Sequence, residues 1–136
     1  MIRCGIDMIE HERIRAGIAR LGERFLNRFF TAGERDDCKD QPHRLAARLA
    51  AKEAVGKALG TGIGDVRWVE IEVRVNNPRK RPTLYLHGDA QALAHEMGVL
   101  YWDVSLTHTE QYAGAMVVLY LRAPLPADYP PMKDTP

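Results

Sequence analysis

Cysteine is scarce in this chain: two residues in 136, Cys4 and Cys38. Neither stands in metal-ligand spacing, and one pair is too few for a disulfide framework. Two thiols in a reducing compartment is the natural reading. Excess charge of either sign is also lacking, with 19 Lys and Arg against 18 Asp and Glu and a net charge of +1. That balance excludes a bulk field aimed at nucleic acid, so any basic partner surface must be local. No apolar run approaches the roughly 20 residues of a membrane-spanning helix. The longest, around Ala113 to Leu121, is strand-sized. The opening Met-Ile-Arg-Cys-Gly carries no signal-peptide pattern,. Neither a Walker-type phosphate loop nor a repeat of solenoid period occurs. The expectation is a cytoplasmic chain with a single core-forming domain.

What is present is a helix-forming stretch from Arg48 to Gly62, rich in Ala and Leu,. Pro42 lies near its start, and Gly60 and Gly62 lie just past its end,. At about 100° per residue, Leu45, Leu49, Val55 and Leu59 share one face. Ala46, Ala47, Ala50, Ala54 and Ala58 cover the other. A helix apolar on nearly all sides is buried, yet this one carries Arg48, Lys52, Glu53 and Lys57. Charges in that setting need partners, a metal or a ligand. The plain alternative is an i,i+4 ion pair between Glu53 and Lys57 on a wet edge.

Around that helix the chain reads as follows. Ile2 to Asp7 predicts a strand with an acid at its end. From Ile9 to Phe30, Ile14, Ile18, Leu21, Phe25 and Phe29 form an amphipathic helical stripe. Arg13, Arg20, Arg24 and Arg28 run beside it, a solvated face or a surface for an acidic partner. Thr31 and Glu34 fit a capping box opening a short helix toward Cys38. Gly60-Thr61-Gly62-Ile63-Gly64 follows a helix rather than a strand, so it fails the context test for a dinucleotide fingerprint. Val69 to Asn76 alternates apolar and polar residues as a half-buried strand. A turn with Arg79, Lys80 and Arg81 joins it to a strand at Thr83 to Leu86. Asp89 is placed to cap a helix that ends at Gly98. Trp102 to Thr107 predicts a strand. Tyr112 to Leu121, almost wholly apolar, predicts a central strand covered on both faces. The order is strand, helices, two strands, helix, two strands, an α+β domain.

Asp7 and Glu53 are the carboxylates best placed for chemistry. Two hard oxygen ligands from separate elements suit Mg²⁺, which takes one or two carboxylates plus waters and substrate phosphates. Lys57, one turn beyond Glu53, is in reach of a phosphate beside such an ion. Arg48, the Arg79–Arg81 turn and His108 are candidates to hold further anionic groups.

Four motifs then coincide. Gly5-Ile6-Asp7-Met8-Ile9-Glu10-His11-Glu12-Arg13-Ile14, Phe30-Thr31-Ala32-Gly33-Glu34, Arg48 to Gly60, and Ser105-Leu106-Thr107-His108-Thr109 with Tyr112-Ala113 resemble the small holo-acyl-carrier-protein synthases. These are the small class of 4′-phosphopantetheinyl transferases. The likeness runs from residue 2 to 121 in the same order and spacing. It sets a domain of residues 1–122 and leaves a loose proline-rich tail at 123–136.

The resemblance implies transfer of the 4′-phosphopantetheine arm of coenzyme A to a serine of apo-acyl carrier protein. Asp7 and Glu53 would be the Mg²⁺ ligands and Lys57 would steady the attacked phosphate. The serine proton would go to a water on the metal or to a nearby carboxylate. Arg48 and His108, with Gly60 and Thr109 beside them, would bind the nucleotide. Arg81 and Pro82 would border the adenine, and here Lys80 departs from the glycine common in the family. Arg13, Arg20, Arg24 and Arg28 would dock the acidic carrier protein. The small class works as a homotrimer with active sites between subunits, so Arg48 and His108 are candidates to act from a neighbouring subunit. A non-catalytic carrier-binding scaffold and another Mg²⁺-dependent nucleotide enzyme are the competing readings.

Overall fold

A computed structural model describes residues 1–122; the proline-rich tail at 123–136 lies outside the described residues. Strand β1 (Ile2–Glu10) leads to helices α1 (His11–Leu21), α2 (Glu23–Phe29), α3 (Ala32–Cys38) and α4 (Pro42–Leu59). A 3₁₀ turn at Trp68–Glu70 precedes strands β2 (Ile71–Arg74) and β3 (Thr83–Leu86). Helix α5 (Gly88–Glu96) and strands β4 (Val99–His108) and β5 (Tyr112–Leu121) complete the α+β order. The large sheet runs β1-β5-β4, antiparallel throughout, and β2 and β3 form a separate antiparallel pair.

Helix α4 lies across the inner face of the large sheet. Its alanines make that possible: Ala46, Ala50, Ala51 and Ala54 are fully buried, and short side chains let backbone approach backbone. The contact is closest at Gly5, where an added Cβ would stand 1.9 Å from the Ala54 carbonyl oxygen. That approach fixes the height of β1 over α4, and with it the position of Asp7 two residues on.

A buried ion pair anchors the other side of α4. Lys52 and Glu34 are both wholly buried, with Lys52 Nζ donating to Glu34 Oε1 at 2.6 Å. Lys52 also donates to the carbonyls of Ile71 (2.6 Å) and Trp68 (3.0 Å). Glu34 completes the Thr31 capping box and accepts from the Val73 N–H at 3.0 Å. Burial pulls the Lys52 pKa down while Glu34 opposes the fall. One satisfied network thus ties α3, α4 and β2 together.

Several expectations change. Strand β1 runs on to Glu10, so Asp7 lies within it rather than at its end. The strand expected over Val69 to Asn76 is shorter, because Trp68–Glu70 turns as a 3₁₀ helix and β2 spans only Ile71–Arg74. The single helix over Ile9 to Phe30 is two, because Gly22 turns the chain with φ 55° and its N–H closes on Ile18 O. The four arginines are therefore shared between α1 and α2. Helix α5 starts at Gly88 with His87 as N-cap, and Asp89 sits in its first turn, where its N–H meets Glu70 Oε1. Strand β5 is central in the sheet but covered on one face only. Ala113, Ala115, Val117 and Leu119 turn inward to α4, while Met116 and Tyr120 stay exposed. The outer face continues through Ile6 and Met8, 66% and 63% exposed.

Candidate active site

Asp7, Glu53 and Lys57 meet where β1 crosses α4. The side chain of Lys57 does not pair with Glu53, as the i,i+4 alternative requires. Its Nζ donates to Asp7 Oδ1 at 3.0 Å and to the Ile6 carbonyl at 2.8 Å. Glu53 instead faces Asp7 and accepts from Arg13 at 3.4 Å. Two carboxyls brought together cannot both hold full charge cheaply. Burial, then the hydrogen bond with Asp7 and its charge, push the Glu53 pKa up to about 7. Burial alone would raise Asp7 as well, but its bonds to Glu53 and Lys57 prevail and hold it low. Asp7 Oδ2 is buried and lacks a donor when both groups are ionised. Glu53, with which Asp7 shares a hydrogen bond when one of the two is protonated, is the neighbouring carboxyl, and a divalent cation between them would also satisfy that oxygen. The residues therefore fit a Mg²⁺ held by two carboxylates, its remaining positions left to water and substrate oxygens. No cluster of three or more His, Cys, Asp or Glu suited to a metal occurs among the described residues, so an all-protein cage is not what this site offers.

A cleft of about 610 Å³ opens beside the end of β4. Arg44 and Arg48 of α4, Lys80 and Pro82 of the β2–β3 turn, and His43 and His108 line it. Arg48 is 7% exposed. Its Nε is buried with no partner, and Nη1 makes only a 3.5 Å contact to Arg44 O. The acid on the wall, Asp37, is taken by Arg74 and the Val75 N–H. A cationic cleft whose buried guanidinium is under-satisfied is built for an anion.

A second, mostly apolar pocket of about 190 Å³ adjoins it, sharing Leu106, Thr107 and His108. Asp7, Ile6, Met8 and Thr109 line this one. Arg48, Pro82 and His108 thus border one cleft within a single chain, while His108 also lines the second pocket together with Thr109 and Asp7.

The other expected residues are placed less centrally. Gly60 caps α4 with φ 82° and lines neither pocket. Arg81 pairs with Asp103 of β4 and borders a shallow recess with Pro82. Its neighbour Lys80 enters the cleft instead. Lys80 has φ 54°, in the left-handed region. The backbone keeps the shape a glycine would favour there and adds an ammonium. Arg20, Arg24 and Arg28 are exposed, Arg28 over the Phe29 ring at 5.4 Å, while Arg13 reaches Glu53. Sequence reasoning missed His43 and Arg44 as cleft residues. The signal was available, since Arg44 stands four residues before Arg48 and shares its helix face.

The family model for the 4′-phosphopantetheinyl transferase superfamily matches residues 3–117. The chain is 45% identical over 125 residues to a holo-[acyl-carrier-protein] synthase of Herpetosiphon aurantiacus, covering 87% of this chain and 98% of that one. It is 48% identical over 118 residues to one from Dehalococcoides mccartyi, with the same coverage. Among solved structures, the Helicobacter pylori holo-[acyl-carrier-protein] synthase in complex with coenzyme A superposes with a TM-score of 0.78 at 30% identity. That match covers 88% of this chain and all of the other. A Bacillus anthracis enzyme in complex with coenzyme A (3′,5′-ADP) gives 0.67 at 35% identity, covering 86% and 94%. With the family model spanning nearly the whole described fold and such relatives matched end to end, the chain belongs to the 4′-phosphopantetheinyl transferase superfamily, among its holo-[acyl-carrier-protein] synthases.

Proposed function

We propose that the chain moves the 4′-phosphopantetheine arm of coenzyme A onto a serine of apo-acyl carrier protein, with Mg²⁺ held between Asp7 and Glu53. The observation that carries this reading is the facing pair of carboxyls with Lys57 beside them, next to a cationic cleft. The serine hydroxyl gives up its proton to a water or a nearby carboxylate, and its oxygen forms a bond to the phosphorus that carries the pantetheine arm. The bond from that phosphorus to the bridging oxygen breaks, and adenosine 3′,5′-bisphosphate leaves. Mg²⁺, when bound, neutralises charge on the diphosphate. Lys57 shifts from Asp7 toward a non-bridging phosphate oxygen and stabilises the charge that builds there. Arg48 and His108, with Arg44 and Lys80, hold the 3′-phosphate and so fix where the diphosphate lies relative to Lys57. Arg20, Arg24 and Arg28 steer the acidic carrier protein.

The homotrimer belongs to the same proposal, and what supports a contact between copies is an exposed apolar row on the sheet: Ile6 pairs with Met116 across β1 and β5, with Met8 and Tyr120 exposed on the same strands,. The pocket beside Asp7 opens among these residues. A second copy packed there roofs the site and completes it from outside.

The test is incubation of the purified chain with coenzyme A, Mg²⁺ and apo-carrier protein, read by intact mass. The carrier gains one phosphopantetheine arm on its serine. An unchanged carrier mass, with coenzyme A still bound by the chain, would favour the scaffold reading.

A further inference from the structure

Three histidines stand in a row at the cationic cleft, and one of them, His43, has no part in the reaction as described so far. The ring centroid of His43 lies 6.2 Å from that of His11 and 6.5 Å from that of His108. His43 opens the first turn of α4 and is exposed to the cleft. His11 is 3% exposed, and its Nε2 is buried without a partner. His108 closes β4 and lines the same cleft.

Basic groups surround His43. Arg44 and Arg48 come from its own helix, Arg15 and His11 from α1, His108 from β4, and Lys80 from the β2–β3 turn. The nearby acid, Asp37, is already bonded to Arg74. Burial first, then Arg44, His11 and His108, lower the His43 pKa below the ordinary histidine value. The field of these neighbours therefore disfavours the imidazolium. A phosphate dianion reverses the field, because one ligand cancels the charge that opposes protonation.

We propose that His43 is a proton-linked recognition residue for the phosphomonoester end of the nucleotide, taking up a proton as that group enters the cleft and releasing it as the group leaves. This rests on the cleft holding the 3′-phosphate, as above, and adds how the protein tells that phosphate from a bare hydroxyl. The imidazolium donates a charge-assisted hydrogen bond to the monoester oxygen. A ligand without the monoester meets a neutral ring and gains nothing from it. Affinity for the monoester rises as pH falls toward the free-state pKa of His43 and levels off below it.

Calorimetry of adenosine 3′,5′-bisphosphate binding tests this, run on the full chain with Mg²⁺ in buffers of different ionisation enthalpy at pH 7.5. Adenosine 5′-phosphate serves as the ligand without the 3′-group. The wild type takes up a fraction of a proton with the bisphosphate beyond that seen with adenosine 5′-phosphate. His43→Gln loses that uptake, and its preference for the bisphosphate falls by about tenfold at pH 6.5, as loss of a charged hydrogen bond requires. His43→Lys, with a permanent charge, retains the preference and shows no uptake. Proton uptake equal in wild type and His43→Gln overturns the inference while leaving the transferase reading intact. Absence of bisphosphate binding in the wild type overturns both.

Discussion

Replacing Glu53 by Gln should make the metal-free protein more stable at neutral pH while destroying its metal site. Burial and the facing Asp7 raise the Glu53 pKa from an ordinary 4.5 to about 7. A carboxyl whose pKa is raised in the folded state contributes its full stability below the unfolded value. That contribution is lost as pH climbs through the folded value. The metal-free wild type therefore weakens between pH 4.5 and 7. The full shift corresponds to a ceiling of about 3 kcal/mol. The side chain is 23% exposed, and solvent screening reduces the expected figure to about 1–2 kcal/mol. For a domain of this size that is roughly 3–8 °C in Tm. Asp7 does not blur the result, since its lowered pKa acts below the ordinary 3.8. His43 is common to both proteins and cancels in their difference. The assay is thermal melting with chelator across pH 5 to 8, repeated with saturating Mg²⁺. Glu53→Gln should lack the wild-type slope, and Mg²⁺ should restore stability at pH 7.5 only in the wild type. Equal slopes in the two proteins, or equal stabilisation by Mg²⁺, would refute the facing-carboxyl account.

Other perturbations separate binding, docking and folding. Lys52→Ala leaves Glu34 buried without its cation and should cost about 3–5 kcal/mol, read as the shift in a urea midpoint; a loss under 1 kcal/mol would show that the network is not an anchor. Arg24→Glu should raise the KM for carrier protein at least several-fold and leave that for coenzyme A nearly unchanged, and equal effects on both substrates would remove α2 from the docking surface. Lys80→Gly relieves a left-handed side-chain conformation and removes a cleft cation. Stability should stay within about 1 kcal/mol of wild type while the Kd for coenzyme A rises several-fold; an unchanged Kd would place the ammonium outside the binding cleft.

Much of this was legible in the sequence because local signals and tertiary needs agree. The Ala-rich composition of α4 predicts a helix buried on nearly all sides, and α4 is that helix. The Thr31–Glu34 capping box forms as its spacing demands. Other features depend on contacts that no local pattern encodes. Arg13 reads as one of four regularly spaced surface arginines, yet it reaches Glu53 from the neighbouring helix. Lys57 stands one turn from Glu53 and still pairs with Asp7, fifty positions away in the chain, because Gly5 lets β1 sink onto α4. Strand β5 looks covered on both faces because its outer residues are apolar as well. Periodicity cannot say whether such a face is roofed by the chain itself or by a second copy. His43 and Lys80 join the cleft only once α4, β4 and the β2–β3 turn converge.

The most direct test of the account is the position of a divalent ion. Mn²⁺ diffused with coenzyme A into crystals of the chain has an anomalous signal that locates it independently of any assay. One peak in coordination distance of both the Asp7 and Glu53 carboxylates, touching the diphosphate, is the expected result. A peak held by neither carboxylate, or two carboxylates that stay joined through a proton while coenzyme A is bound, would contradict it.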